Sequence, residues 1–412
     1  MVIVVGSGAG GATVARDLAL AGIPVKIIEK GPAIQSKKAF NYYDLSEEGL
    51  DLLKTSCVGG STLVAVGNGV RVLENELKNM GLDISIELDE IEKDLEIGPM
   101  PDSHIGDGTK LLMESAQSMG INIQKMPKFI RSKDCSPCGQ CSFGCPKNAK
   151  WSAADFVSEA QKAGAELIPE TEVTDLIVEN GRIIGVKALQ NTCSREDDEI
   201  VSEETSFLSE IVILSLGGVE TPRLLQKAGI DAGENFFMDT FITVGGILEN
   251  VAFKDEVQMN ALIIKENFIL GPHFSTFLSS QLKDQGATDK DILGFMVKIG
   301  DESSGYVGPD TIVKNNTLRD VRFLAEGAAL AGAILVEAGV NPDTIISTHP
   351  RGAHPGGTAA IGDVVNENLE TSLNGLFVAD ASVLPTAPGA PPLLTIMALS
   401  KRLAKYIISE YK

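Results

Sequence analysis

The stretch Val2-Ile3-Val4-Val5-Gly6-Ser7-Gly8-Ala9-Gly10-Gly11, continued through Gly31, decides how this chain is read. Val2–Val5 has the branched apolar residues of a buried strand. A glycine turn follows at once, and residues 12–21 have helical character. A second apolar run, Val25–Ile28, ends in Glu29-Lys30-Gly31. Strand, glycine turn, helix, strand and acid together form a dinucleotide-binding unit. Gly6 permits the tight turn, Gly8 lets backbone approach a pyrophosphate, and Gly11 lets the helix pack on the strand. The helix start offers unpaired N–H groups and a partial positive charge to the phosphates. Glu29 stands where a carboxylate can accept hydrogen bonds from ribose hydroxyls. This stretch alone leaves open whether the dinucleotide is FAD or NAD.

Working outward, 412 residues suggest two domains, one of them interrupted in sequence. The formal net charge of −21 argues against nucleic acid or an anionic membrane surface as partner. No apolar run reaches spanning length. The first strand begins at Val2, which leaves no room for a signal peptide, so a cytoplasmic location is expected. Further along, Cys57 to Gly69 is rich in glycine with apolar residues between, as where backbone lies against a flat or charged group. Runs at 166–169, 173–178, 183–188 and 211–215 read as strands, and the polar residues 192–208 as a loop. From residue 236 to 323 short apolar runs alternate with polar turns, suggesting antiparallel strands. Nine of the fifteen phenylalanines fall there. They read chiefly as core, or as the lining of an apolar substrate cavity.

Four of the six cysteines form Cys135-x-x-Cys138-x-x-Cys141-x-x-x-Cys145-Pro146. This is the spacing of the bacterial ferredoxin run. Cys145 is the least certain ligand, because the fourth cysteine of that run serves a second cluster in two-cluster ferredoxins. Cys57 or Cys193 are substitutes for it. Structural zinc and a purely structural loop stay open, although zinc more often takes two separated pairs.

Four ordered blocks resemble the glucose–methanol–choline (GMC) flavin oxidoreductases. They are Val2 to Gly31, Gly59-Gly60-Ser61-Thr62, Gly217-Gly218-Val219-Glu220-Thr221-Pro222 through Ile230, and His354-Pro355-Gly356-Gly357-Thr358 with Gly375 to Pro385. The resemblance implies an α/β, overall α+β, fold. A Rossmann-like FAD-binding domain would comprise residues 1–75, 150–235 and 335–412. A substrate domain with an antiparallel sheet would comprise 76–149 and 236–334. It further implies that Gly6, Gly8, Gly11 and Glu29 hold the ADP half of FAD. Gly59, Gly60 and Ser61 would face the flavin and pyrophosphate, Val173 the adenine, and Asp380 the ribityl end. His354 falls where the family has its catalytic base. Two departures stand out. Pro391 occupies the place of the family's second His or Asn, and Ala65 the place of an asparagine, with Asn68 three residues on.

Alcohol oxidation at a flavin needs a base for the hydroxyl proton, and histidine titrates near neutrality. Among His104, His273, His349 and His354, the expected base is His354, with His349 as helper. Some GMC sugar dehydrogenases carry an iron–sulfur cluster near the flavin. By that resemblance Cys135, Cys138, Cys141 and Cys145 would hold a 4Fe-4S or 3Fe-4S cluster that passes electrons to an acceptor protein or quinone-like molecule. An oxygen-using oxidase, and a flavin module without alcohol chemistry, are the alternatives.

Overall fold

The computed structural model describes residues 1–44, 50–193 and 200–411. Its first layer is a five-stranded parallel sheet in the order Leu376–Val378, Val212–Leu214, Val2–Val5, Val25–Ile28 and Glu166–Ile168. Val2–Val5, Val212–Leu214 and Leu376–Val378 are buried on both faces, which is why they read as unbroken apolar runs. The helix Ala9–Leu20 packs between the helix Ala153–Lys162 and the closing helix Leu393–Tyr411. A Cβ on Gly10 would collide with the Ala379 carbonyl, so this close approach requires glycine. Leu77, Leu88 and Ile91, from the segment expected with the second domain, pack into this first core.

A three-stranded antiparallel sheet, Thr171–Glu179, Arg182–Cys193 and Ile200–Leu208, adjoins it. Asn180 and Gly181 both have positive φ, as a tight hairpin turn demands. The expected loop at 192–208 is corrected here, since Ile200–Leu208 is a strand. Its polar residues pair through backbone, which needs no apolar pattern.

The second large sheet has the order Ile346–Ser347, Thr240–Ile247, Ile292–Lys298, Ile269–Pro272, Ala261–Ile264 and Gln124–Lys125, with Arg351–Gly352 also on Thr240–Ile247. The helix Leu318–Glu337 covers one face, and Thr317 and Asp320 form a capping box at its start. The opposite face carries Lys298. The helix Gly217–Lys227 contains Pro222, which cannot donate to the Gly218 carbonyl four residues earlier. Thr358 Oγ1 donates to that carbonyl instead, at 2.8 Å, and so ties two of the sequence blocks together. Among the described residues no helix is long and apolar enough to cross a membrane.

Candidate active site

The N-terminal turn is built as its glycines require. Gly6 has φ +96°, and a Cβ on Gly11 would strike the Gly6 carbonyl. Gly8 differs from both. Its φ is −69° and a Cβ there would meet nothing within 4 Å. The polypeptide therefore does not itself demand glycine at position 8, whereas a phosphate lying on the turn would. No side chain caps the helix that starts at Ala9, so its first N–H groups remain available to an anion.

Glu29 is buried, and burial raises its pKa against the pull of its hydrogen bonds. Its Oε2 accepts from Ser7 N at 3.0 Å and Ser7 Oγ at 2.6 Å, and its Oε1 from Gly31 N at 2.9 Å. Each carboxylate oxygen can accept further bonds. Ser7 Oγ in turn accepts from Gly59 N, and Gly60 lies against Gly8. Ser61 Oγ accepts from Thr55 N at 3.1 Å. Val173 pairs with Ala188 beside a bulge, where Thr174 is the extra residue that leaves the ladder irregular. Asp380 accepts from Gly217 N and Thr221 Oγ1 with one oxygen, and from Ser382 N and Oγ with the other. It thereby pins the helix Gly217–Lys227 beside the fingerprint sheet, while Gly218 sits against Pro355. All four sequence blocks converge here.

His354 belongs to a buried charged cluster that the sequence reading missed. Its Nδ1 lies 2.8 Å from Asp239 Oδ2 and 3.1 Å from Lys298 Nζ. Lys298 Nζ also donates to the Asp239 carbonyl at 2.9 Å and approaches Asp239 Oδ2 at 3.2 Å. Asp239 has a positive φ of 55°, rare for a residue with a side chain. It is held there by Asp301, which accepts from the backbone N–H groups of Met238, Asp239 and Thr240 and pairs with buried Lys314 at 2.9 Å. Gly389 N donates to the other Asp239 oxygen. Burial, then Lys298, pushes the His354 pKa down to about 4, with Asp239 opposing. The ring is neutral at pH 7. The shorter contact assigns its proton to Nδ1, directed at Asp239, and leaves Nε2 with a free lone pair on the quarter of the side chain that is exposed. The sequence signal was available: Asp239 and Lys298 each interrupt an apolar run.

His349 does not join this cluster. It is half exposed, with Nε2 at 2.6 Å from Asp51 and its ring edge-on to Phe277.

Cys135, Cys138, Cys141 and Cys145 line one small cavity together with Ile130, Val257 and Lys150. Burial and the neighbouring cysteines push the Cys135 thiol up to about 11. Among the described residues no three His, Cys, Asp or Glu side chains are close enough to share a single metal ion. Cys57 is buried elsewhere, beside Ala39 and Leu63, and the Cys193 side chain lies outside the described residues. Lys150 joins this cavity to the glycine turn, since its Nζ donates to the carbonyls of Thr62 and Leu63 at 2.8 and 3.0 Å. Lys128 is also fully buried and donates to Asn68 Oδ1 and to the carbonyls of Val66 and Gln258. Neither ammonium has a carboxylate partner in these contacts. Burial lowers them to about 7 for Lys128 and about 8 for Lys150, with nearby cysteines pulling the other way.

Two models of one family match this chain's sequence, the N-terminal part of the GMC oxidoreductases over residues 3–251 and the C-terminal part over 313–400. The chain belongs to the GMC oxidoreductase family. An uncharacterized protein of Methanocaldococcus jannaschii is 33% identical over 98% of this chain and 99% of its own length. A long-chain-alcohol oxidase of Arabidopsis thaliana is 23% identical over 99% of this chain and 67% of its own. Pyridoxine 4-oxidase from Mesorbium loti superposes with a TM-score of 0.73 at 15% identity, covering 98% of each chain, which shows a shared fold. As a GMC oxidoreductase the protein is an FAD-dependent enzyme acting on CH–OH groups.

Proposed function

We propose that this GMC oxidoreductase oxidises an alcohol with His354 as base, and that its electrons leave through the cysteine site. The observation that carries the first half is the Lys298–Asp239–His354 cluster. Asp239 fixes the imidazole with Nδ1–H inward, so Nε2 takes the hydroxyl proton. Burial, with Lys298 beside it, keeps the ring neutral. FAD supplies the hydride acceptor for the carbinol carbon. Gly6, Gly8, Gly11 and Glu29 are its ADP-side residues, Gly59, Gly60 and Ser61 line the turn above them, Val173 takes the adenine, and Asp380 orders the far end. Anaerobic addition of a suitable alcohol should bleach the flavin; protein that no alcohol bleaches would remove this reading.

Gly8→Val tests the cofactor site separately. The backbone there suits any residue, so the variant should fold with the Tm of the apoprotein unchanged, while FAD content falls about tenfold or more. A variant that retains FAD would place the pyrophosphate elsewhere.

The second half rests on the cysteine cavity and its buried lysines. A single zinc ion would draw several cysteine sulfurs onto one point, whereas a cluster spreads its ligands over several irons. Cys135, Cys138, Cys141 and Cys145 would hold an iron–sulfur cluster, which supplies one-electron transfer to a protein or quinone-like acceptor. An oxygen-using oxidase, as the names of several relatives read, has no need of these cysteines.

A further inference from the structure

The face of the antiparallel sheet that carries Lys298 also carries polar groups with nothing to bond. Strand register puts Phe241 opposite Lys298 and Thr243 opposite Met296. His273 follows in register opposite Gly294, to whose carbonyl its backbone N–H donates. Directly opposite residues of antiparallel strands point to one face, as do alternate residues of one strand. Thr243 Oγ1 and His273 Nδ1 are buried and without a partner.

Arg351 is paired with Phe241 across the strands and reaches the same ring. Its Cζ is 4.9 Å from the Phe241 centroid and 4.3 Å from that of Phe277. The side chain is only 6% exposed, its Nε is buried without a partner, and among the described residues no acceptor bonds to any of its nitrogens. Asp51 and Tyr43 pull on it through space only, and Asp51 Oδ2 is engaged by His349. The two rings occupy the guanidinium by its faces and leave its five in-plane donors unused. Nε is the buried one of these donors, and a largely buried cation with no protein acceptor is costly. The complement of a planar fork of donors is a carboxylate. Lys298 Nζ, which touches His354, lies 6.0 Å from the centroid of the same Phe241 ring. Arg351 and the His354 cluster are thus neighbours across one phenylalanine.

We propose that Arg351, with His273 and Thr243 beside it, binds a carboxylate on the substrate, so that the alcohol oxidised is a hydroxy acid. Its carbinol would meet His354, and the bonds between the two groups would lie along Phe241 and Met296. The inference rests on alcohol oxidation at His354 only for the placement of the hydroxyl end.

Calorimetric titration of the FAD-loaded protein with hexanoate tests the anion site without turnover. The wild type should bind it saturably. Arg351→Gln should bind about 10- to 100-fold more weakly, and Arg351→Lys should fall between. Arg351→Met should show a Tm no lower than wild type, because the guanidinium it removes has no hydrogen bond to lose; a marked drop would make Arg351 a structural residue. In anaerobic flavin reduction the wild type should prefer 6-hydroxyhexanoate to hexan-1-ol, and Arg351→Gln should lose the preference. Equal hexanoate binding by wild type and Arg351→Gln, or none by wild type, overturns the proposal. If hexanoate binds through Arg351 but no alcohol or hydroxy acid bleaches the flavin, the anion site stands and the alcohol-oxidation reading fails.

Discussion

His354→Gln should slow anaerobic flavin reduction by alcohol by about two to four orders of magnitude, with FAD content unchanged. Glutamine keeps a donor for Asp239, so the buried carboxylate is not stranded. It cannot take a proton, and that is the only function removed. The pH profile carries a second, independent expectation. A base works in its neutral form, and burial with Lys298 depresses the His354 pKa to about 4. The reduction rate should therefore stay level through neutrality and fall only as the pH approaches that value, rather than near the ordinary histidine pKa of about 6.5. Stopped-flow reduction across pH in wild type and variant measures both. Unchanged reduction in His354→Gln would remove His354 from the chemistry. A limb near the ordinary histidine value would mean that burial and Lys298 do not set the ring's charge.

The parts of this site legible in the sequence are those fixed by local backbone. Gly6 and Gly11 are dictated by a positive φ and by a carbonyl that a Cβ would strike, and such demands leave a glycine at fixed spacing. The parallel strands were legible because burial on both faces leaves runs such as Val2–Val5 and Val212–Leu214. Ile200–Leu208 was not, since its pairing with Arg182–Cys193 is made by backbone on a polar surface. The partners of His354 were hidden for another reason. Asp239 is 115 residues away and Lys298 is 56, and only the register of Thr240–Ile247 against Ile292–Lys298 brings them together. A lone aspartate and a lone lysine inside apolar runs mark buried charges, but no spacing rule says which charges meet. Lys128 and Lys150 were missed in the same way, although both flank the cysteine tract that drew attention.

Protein purified without oxygen should hold iron and acid-labile sulfide, and Cys138→Ser should remove or change that iron. The variant should keep alcohol-dependent flavin reduction largely intact and lose electron transfer to a one-electron acceptor. The argument starts from charge. Two fully buried ammoniums whose hydrogen bonds go to carbonyl oxygens and an amide each carry a desolvation cost of several kcal/mol that a nearby anion would offset. In the contacts of Lys128 and Lys150 no carboxylate does so. Asp155 acts on Lys150 through space; the other groups able to supply negative charge to the two lysines are the cysteines, and these are anionic only when a metal centre holds them as thiolates. Neutral thiols would leave Lys128 uncompensated and Lys150 with Asp155 alone. A cluster would also explain the direction in which Lys150 runs, from the cysteine cavity to the carbonyls of Thr62 and Leu63 in the turn that packs on Gly8. An alcohol surrenders two electrons at once, and a flavin can receive a pair and release them singly. A one-electron carrier held by these cysteines would give those electrons an exit that oxygen chemistry does not require. Metal analysis, absorption spectra and reduction of a one-electron dye by wild type and Cys138→Ser decide the matter. Zinc, or no metal at all, in the anaerobically purified wild type would leave the tract a structural loop and return the enzyme to the oxygen-using reading.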